Sequence, residues 1–235
     1  MTLDQHPPGP PGRLRRPSAQ PAGLRRQKKQ RTHTALWCSA MRLFADRGIT
    51  RTTIADIAES VGVSERTFFR YYPSKESLVT GITKKFWESF VTLAAQRPAD
   101  EPMLRSVSLS IHAAYATTFE TDEVDGDVRD GMRNLLKVLA AAPELNHTNN
   151  LQIVQAKNRL GELLCRRHGT DEDPRAYGEA HAALALVRES TYWWVRDPTR
   201  TIAGISYDMY ESLSGGVIKL VQEPSRVSAA SESVV

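Results

Sequence analysis

Two short apolar stripes meet at Gly62-Val63-Ser64, and that turn constrains the fold more than any other stretch of the chain. Ahead of it, Thr52 or Thr53 offers a hydroxyl to cap a helix whose Ile54, Ile57, Ala58 and Val61 share one face. Beyond it, Ser64 caps a second short helix carrying Phe68, Phe69, Tyr71 and Tyr72. Pro73 ends that helix, because proline lacks the donor a continuing helix needs. The glycine supplies the positive φ of a steep turn between two helices, and the apolar Val63 plugs the gap between them. A pair this small cannot bury its own faces. The segment upstream completes the core: Leu36, Ala40, Leu43 and Phe44 fall at i, i+4, i+7 and i+8 of a helix beginning at Thr34. Gly48 stands where a left-handed residue ends such a helix.

Everything after Ser74 reads as helix, with no alternating β-branched run of useful length. Ser74 caps a fourth helix, with Ser77 three residues on in place of the glutamate of a full capping box. Candidate helices span 74–96, 101–119, 124–142, 147–168, 174–196 and 200–222, with Pro143, Gly169-Thr170 and Asp197-Pro198 as turn signals. The fold class is all-α: an N-terminal three-helix helix-turn-helix domain over 32–78 and a larger helical domain over 79–222. Residues 1–31, rich in Pro, Gly and Arg, read as a disordered arm, and 223–235 as a flexible polar tail.

Charge is distributed unevenly. The arm carries eight basic side chains against Asp4 alone, so it holds a net +7 of a chain whose total is +4, and the body is mildly acidic. Such an arm either reaches a polyanion or merely keeps the chain in solution. No stretch approaches the roughly 18 apolar residues of a membrane span, and the N-terminus lacks the apolar core of a secretory signal, so the expected location is the cytoplasm. Cys38 and Cys165 stand far apart and read as two buried, reduced thiols rather than a disulfide. His147, His168 and His181 are scattered without i,i+4 pairing, which argues against a metal, and nothing suggests a cofactor.

The stretch LFADRGITRTTIADIAESVGVSERTFFRYYPSKESLV resembles the DNA-binding domain of the TetR/AcrR family of transcriptional repressors, from about Thr34 to Leu78 without a gap. The resemblance implies that 65–71 is the recognition helix, with Glu65, Arg66 and Phe69 facing bases in the major groove. Arg66 would bridge O6 and N7 of a guanine, and Glu65 would accept from a cytosine or repel misplaced phosphates. Thr53, Thr67, Tyr71 and Lys75 fall at positions that touch the phosphate backbone, with Ser64 at the head of the helix. The family usually has tyrosine where this chain has Phe69, so an apolar contact is expected there, with Arg70 taking over the phosphate duty. Arg25 and Arg26 would reach the adjacent minor groove. Phe68 is assigned to the core, and Tyr72 to packing against the fourth helix.

The same resemblance implies double-stranded DNA with a palindromic operator as partner, a homodimer, and a small-molecule effector. The last two long helices would pair between subunits, with Ala183, Tyr192, Trp194, Tyr207 and Ser212 at the interface. Trp193 and Trp194 point about 100° apart, so one belongs to the interface and the other to the core. Pocket candidates are Trp87, Phe90, His112, Tyr115, Phe119 and Asn158, which combine apolar bulk with single polar handles. His112, Tyr115 and Phe119 share one helix face, which serves either as pocket wall or as plain core. Two alternatives stand beside a ligand-released repressor. One is a DNA-binding regulator or architectural factor controlled by a protein partner. The other is a helical enzyme, disfavoured because no phosphate loop, nucleophile elbow or metal cluster is present.

Overall fold

The computed structural model describes residues 22–121, 124 and 126–222, with side chains from 27 to 214 within that set. Among the described residues there are nine α-helices and no strand. They run α1 (Ala22–Arg47), α2 (Ile54–Ser60), α3 (Glu65–Tyr71), α4 (Ser77–Ala95), α5 (Met103–Phe119), α6 (Asp127–Ala141), α7 (Pro143–Arg167), α8 (Pro174–Trp194) and α9 (Ile202–Gln222). The first three form the small N-terminal unit. The remaining helices form the larger one, in which α4 packs on α5 and α7, α7 on α8, and α9 on α5 and α8. No helix among the described residues is long and apolar enough to cross a membrane.

Local signals account for the helix ends around the turn. Thr53 accepts from the Asp56 N–H at 3.1 Å while the Asp56 carboxylate accepts from the Thr53 N–H at 2.8 Å, a complete capping box. Ser64 accepts from the Thr67 N–H at 3.2 Å. Ser74 and Ser77 exchange the same pair of bonds, each backbone N–H donating to the other's hydroxyl at 3.2 Å, just ahead of α4. Gly48 and Gly62 have φ of 85° and 68°, left-handed values that explain both glycines.

Two helices begin earlier than expected. α1 starts at Ala22 rather than Thr34, so residues 22–31 of the expected disordered arm are helical. Arg, Gln, Lys and Leu propagate a helix well once a packed one exists to extend, and no proline follows Pro21 to stop it. α7 starts at Pro143 rather than 147. Proline at the first helical position lacks only a donor that would be orphaned there anyway, so it opens the helix. Residues 1–21 of the arm and the expected tail over 223–235 lie outside the described residues.

α1 joins the two units. Trp37, completely buried, donates its indole N–H to the Leu78 carbonyl at 3.1 Å and sits 4.5 Å from the Phe119 ring. Its ring lies against Gly131 of α6, where any Cβ would fall 2.2 Å from the indole. The Thr34 hydroxyl donates to the Phe119 carbonyl at 3.1 Å, and the Cys38 thiol to the Asp127 carbonyl at 3.3 Å. Both cysteines are free. Cys165 is buried as expected, whereas Cys38 is only partly so, with burial raising its thiol to about 12. Tyr72 is held by α1: its hydroxyl donates to the His33 carbonyl and its ring stacks on the His33 imidazole at 5.0 Å. Burial, with Lys85 nearby, lowers that imidazole to about 4 and keeps it neutral.

Candidate nucleic-acid interface and cavity

Because α3 has only seven residues, its orientation depends on what it buries. Phe68 provides the anchor, with no exposed surface, meeting Tyr72 at 5.9 Å and Phe69 edge-on at 5.6 Å. That anchoring turns Glu65, Arg66 and Arg70 outward, and Phe69 stands 51% exposed among them. Half of that ring is therefore open to solvent beside two arginines, while its inner edge rests on Phe68. Tyr71 is half-buried under the Arg70 guanidinium, 5.1 Å above its ring. The Thr67 hydroxyl lies 3.1 Å from that of Ser64, so both side chains serve the cap while remaining at the surface edge.

The surface is braced from the side. Arg47 pairs with Asp56 at 2.8 Å, and the bonds from Thr53, together with Arg47, hold the Asp56 carboxyl below its usual range. Lys75, expected at a phosphate, is also tied into the fold. Its ammonium donates to the Ile49 carbonyl at 2.9 Å and the Thr52 carbonyl at 3.4 Å, tying the turn ahead of α4 to the α1–α2 connection. Arg25 and Arg26 belong to the α1 backbone, and their side chains lie outside the described set.

A cavity of about 330 Å³ opens in the larger unit among α4, α5, α6, α7 and α8. Three of the expected pocket residues line it: Trp87, Tyr115 and Phe119. The other three do not. Phe90 is wholly buried one turn further along α4, His112 is part-buried on α5 away from the cavity, and Asn158 is exposed on α7. The face shared by Tyr115 and Phe119 is therefore both core and wall, their rings nearly parallel at 9°. Tyr115 shares a 2.8 Å hydrogen bond with Thr191, and burial pushes its phenol well above the ordinary range. Sequence reasoning missed Asn146, Asn149 and Asn150, which reach the cavity from α7 together with Ile153. Their spacing of i, i+3, i+4 and i+7 places them on one helix face with Ile153, which was the available signal.

The expected interface residues divide as well. Trp194 and Ala183 have no exposed surface within their own chain, so neither is presented outward. Trp194 is held inside by Tyr115 at 5.3 Å and by the Arg129 guanidinium 5.3 Å over its ring. Arg129 also donates to the Pro198 and Arg200 carbonyls, and Arg133 to that of Val195, so α6 grips the end of α8. Trp193 is the outward tryptophan, 51% exposed, and Tyr192 on α8 and Tyr207 and Ser212 on α9 are exposed as well.

Residues 39–82 match the family model described as bacterial regulatory proteins, tetR family. The HTH-type transcriptional regulator TcmR of Streptomyces glaucescens is 31% identical over 75% of this chain and 79% of its own length. MftR of Mycobacterium tuberculosis, a putative mycofactocin biosynthesis transcriptional regulator, is 26% identical over 78% of this chain and 89% of its own. The solved structure of a transcriptional regulator from Aquifex aeolicus VF5 shares the fold, with TM-score 0.52 and 14% identity over 78% of this chain and 98% of that one. The surface of α3, the all-helical architecture and the kinship with TcmR over three quarters of the chain agree: this chain belongs to the TetR family of bacterial regulatory proteins and is a DNA-binding transcriptional regulator.

Proposed function

We propose that the chain acts in the cytoplasm as a homodimeric repressor that binds a palindromic operator and leaves it when a small molecule enters the α4–α8 cavity. The observation that carries the reading is the head of α3, where Arg66 and Phe69 stand exposed beside each other on a helix anchored from behind by Phe68. Glu65, Arg66 and Phe69 would meet base edges, with Phe69 against a thymine methyl. Thr53, Ser64, Thr67, Arg70 and Tyr71 would meet phosphates, while Lys75 holds the turn that aims α3. The exposed Tyr192, Trp193, Tyr207 and Ser212 would face the second subunit, since aromatic anchors of this kind are enriched at interfaces.

The cavity favours a small effector over control by a protein partner alone, and its position supports a route to the DNA. Phe119 lines the cavity and also touches Trp37, which is fixed to the Leu78 carbonyl at the head of α4. A ligand that shifts Phe119 therefore acts on the joint between α1, α4 and α6, and it changes DNA affinity by as much as it prefers one arrangement over the other. Fluorescence anisotropy with DNA from upstream of the chain's own coding region, against scrambled DNA, tests the base-reading assignment. Arg66→Ala should lose roughly 10- to 100-fold in specific affinity, as expected for a bidentate guanine contact of about 1–3 kcal/mol. A variant that discriminates the two DNAs as well as the wild type does would sink it.

A further inference from the structure

Three cations surround the turn between α1 and α2, and the protein's own groups occupy the charged ends of only two. Arg47 pairs with the Asp56 carboxylate at 2.8 Å. Lys75 points its ammonium into the turn, onto the Ile49 and Thr52 carbonyls. Arg42, further back on α1, is matched by Asp46 at 3.9 Å. Arg51 differs from all of these. It is exposed, its Nε donates to the Arg47 carbonyl at 2.7 Å, and it forms no ion pair with another described residue.

That single bond orients the side chain without using its charged fork. Nε takes one of the guanidinium's donors and leaves both terminal nitrogens in the planar arrangement that suits two oxygens of a phosphate. The accepting carbonyl belongs to the last residue of α1, where a helix has unpartnered carbonyls and a negative partial charge that favours a cation. The backbone beneath is held as well. The Thr52 hydroxyl donates to the Gly48 carbonyl at 2.9 Å, and Thr52 has no exposed surface. Arg51 therefore has little freedom left to lose on meeting an anion. It stands two residues ahead of Thr53, the cap of α2, so their Cα atoms are at most about 7 Å apart. In a helix-turn-helix the first helix crosses the phosphate backbone while the second enters the major groove. An arginine at the head of α2 thus faces phosphates, outside the groove where Arg66 works.

We propose that Arg51 is a phosphate clamp: anchored by Nε on the Arg47 carbonyl, it grips the DNA backbone beside each half-site with its terminal nitrogens and adds affinity on any sequence. The assignment rests on α3 lying in the major groove. Fluorescence anisotropy on the full chain tests it, with the upstream DNA and with scrambled DNA, from about 50 to 200 mM salt. Arg51→Gln should weaken binding to both DNAs by the same factor, about 5-fold or more, and flatten the salt slope by about 1.8 for a dimer, about 0.9 for each phosphate released. Arg51→Lys should restore most of the slope, because an ammonium still neutralises a phosphate although it cannot grip two oxygens. An unchanged slope in Arg51→Gln overturns the clamp. So does an Arg51→Lys variant as weak as Arg51→Gln, which would make the bond to the Arg47 carbonyl the whole role. A loss confined to the upstream DNA overturns it in favour of a base contact. In each of these cases a loss of discrimination in Arg66→Ala leaves α3 in the major groove. If Arg66→Ala also discriminates as well as the wild type does, the docking falls with the clamp.

Discussion

A methyl group added at Gly131 should destabilise the protein, although replacing glycine by alanine inside a helix ordinarily does the opposite. In an open helix the change stabilises by about 0.5–1 kcal/mol, because glycine loses more backbone freedom on folding. At Gly131 the new Cβ would lie 2.2 Å from one indole carbon of Trp37 and 2.9 Å from another. Carbon atoms settle at about 3.5–4.0 Å, so the ring must retreat by about 1.3 Å or more. Trp37 has no exposed surface to retreat into, and its N–H is committed to Leu78. Overpacking of this kind costs about 1–3 kcal/mol, and a weakened hydrogen bond adds about 0.5–1.5 kcal/mol. The net loss for Gly131→Ala is about 1–3 kcal/mol. For a chain of this length that lowers the melting temperature by about 3–10 °C, measured at one fixed protein concentration. Gly178→Ala is the control, since Gly178 is exposed on α8 with nothing within 4 Å of its Cβ position, and it should melt slightly higher than wild type. If Gly131→Ala melts at or above wild type, the close contact between α1 and α6 is not as described.

Other expectations follow from single residues. Hydrogen bonds from Arg97 and Ser106, with Arg105 near, hold the Glu101 carboxyl at about 2, so it stabilises the fold fully above its unfolded value of about 4.3 and loses that contribution as pH falls toward 2. Glu101→Gln should therefore flatten the loss of melting temperature between about pH 4 and pH 2. Trp193→Glu should give a folded monomer by sedimentation, whereas Trp194→Glu should fail to fold, because only the latter side chain is buried in its own subunit. Phe69→Ala should leave stability within about 0.5 kcal/mol, as exposed positions do, while weakening operator binding in the anisotropy assay.

What the sequence made legible was set by near neighbours. The capping box of Thr53 and Asp56, the glycine turn and the anchor at Phe68 depend on residues a few positions apart, so their pattern is complete in a short window. The α1 extension was hidden by its charge: polarity suggested disorder, but a polar helix persists when it continues a packed one. The choice between Trp193 and Trp194 depended on Arg129 and Tyr115, both more than sixty residues away. The cavity combines side chains from five helices, so Phe90 and Trp87 looked alike although only Trp87 reaches it. Lys75 was read from its position in a motif, and only the fold shows its ammonium turned onto the Ile49 and Thr52 carbonyls.

The most direct test of the whole account is a hydroxyl-radical footprint of the purified chain on the DNA upstream of its own coding sequence. Two copies of α3 related by a two-fold axis should protect two symmetric half-sites about one helical turn, or a multiple of it, apart. Both protections should vanish together in Arg66→Ala and persist in Asn158→Leu. A single featureless protection that is indifferent to Arg66 would contradict the account.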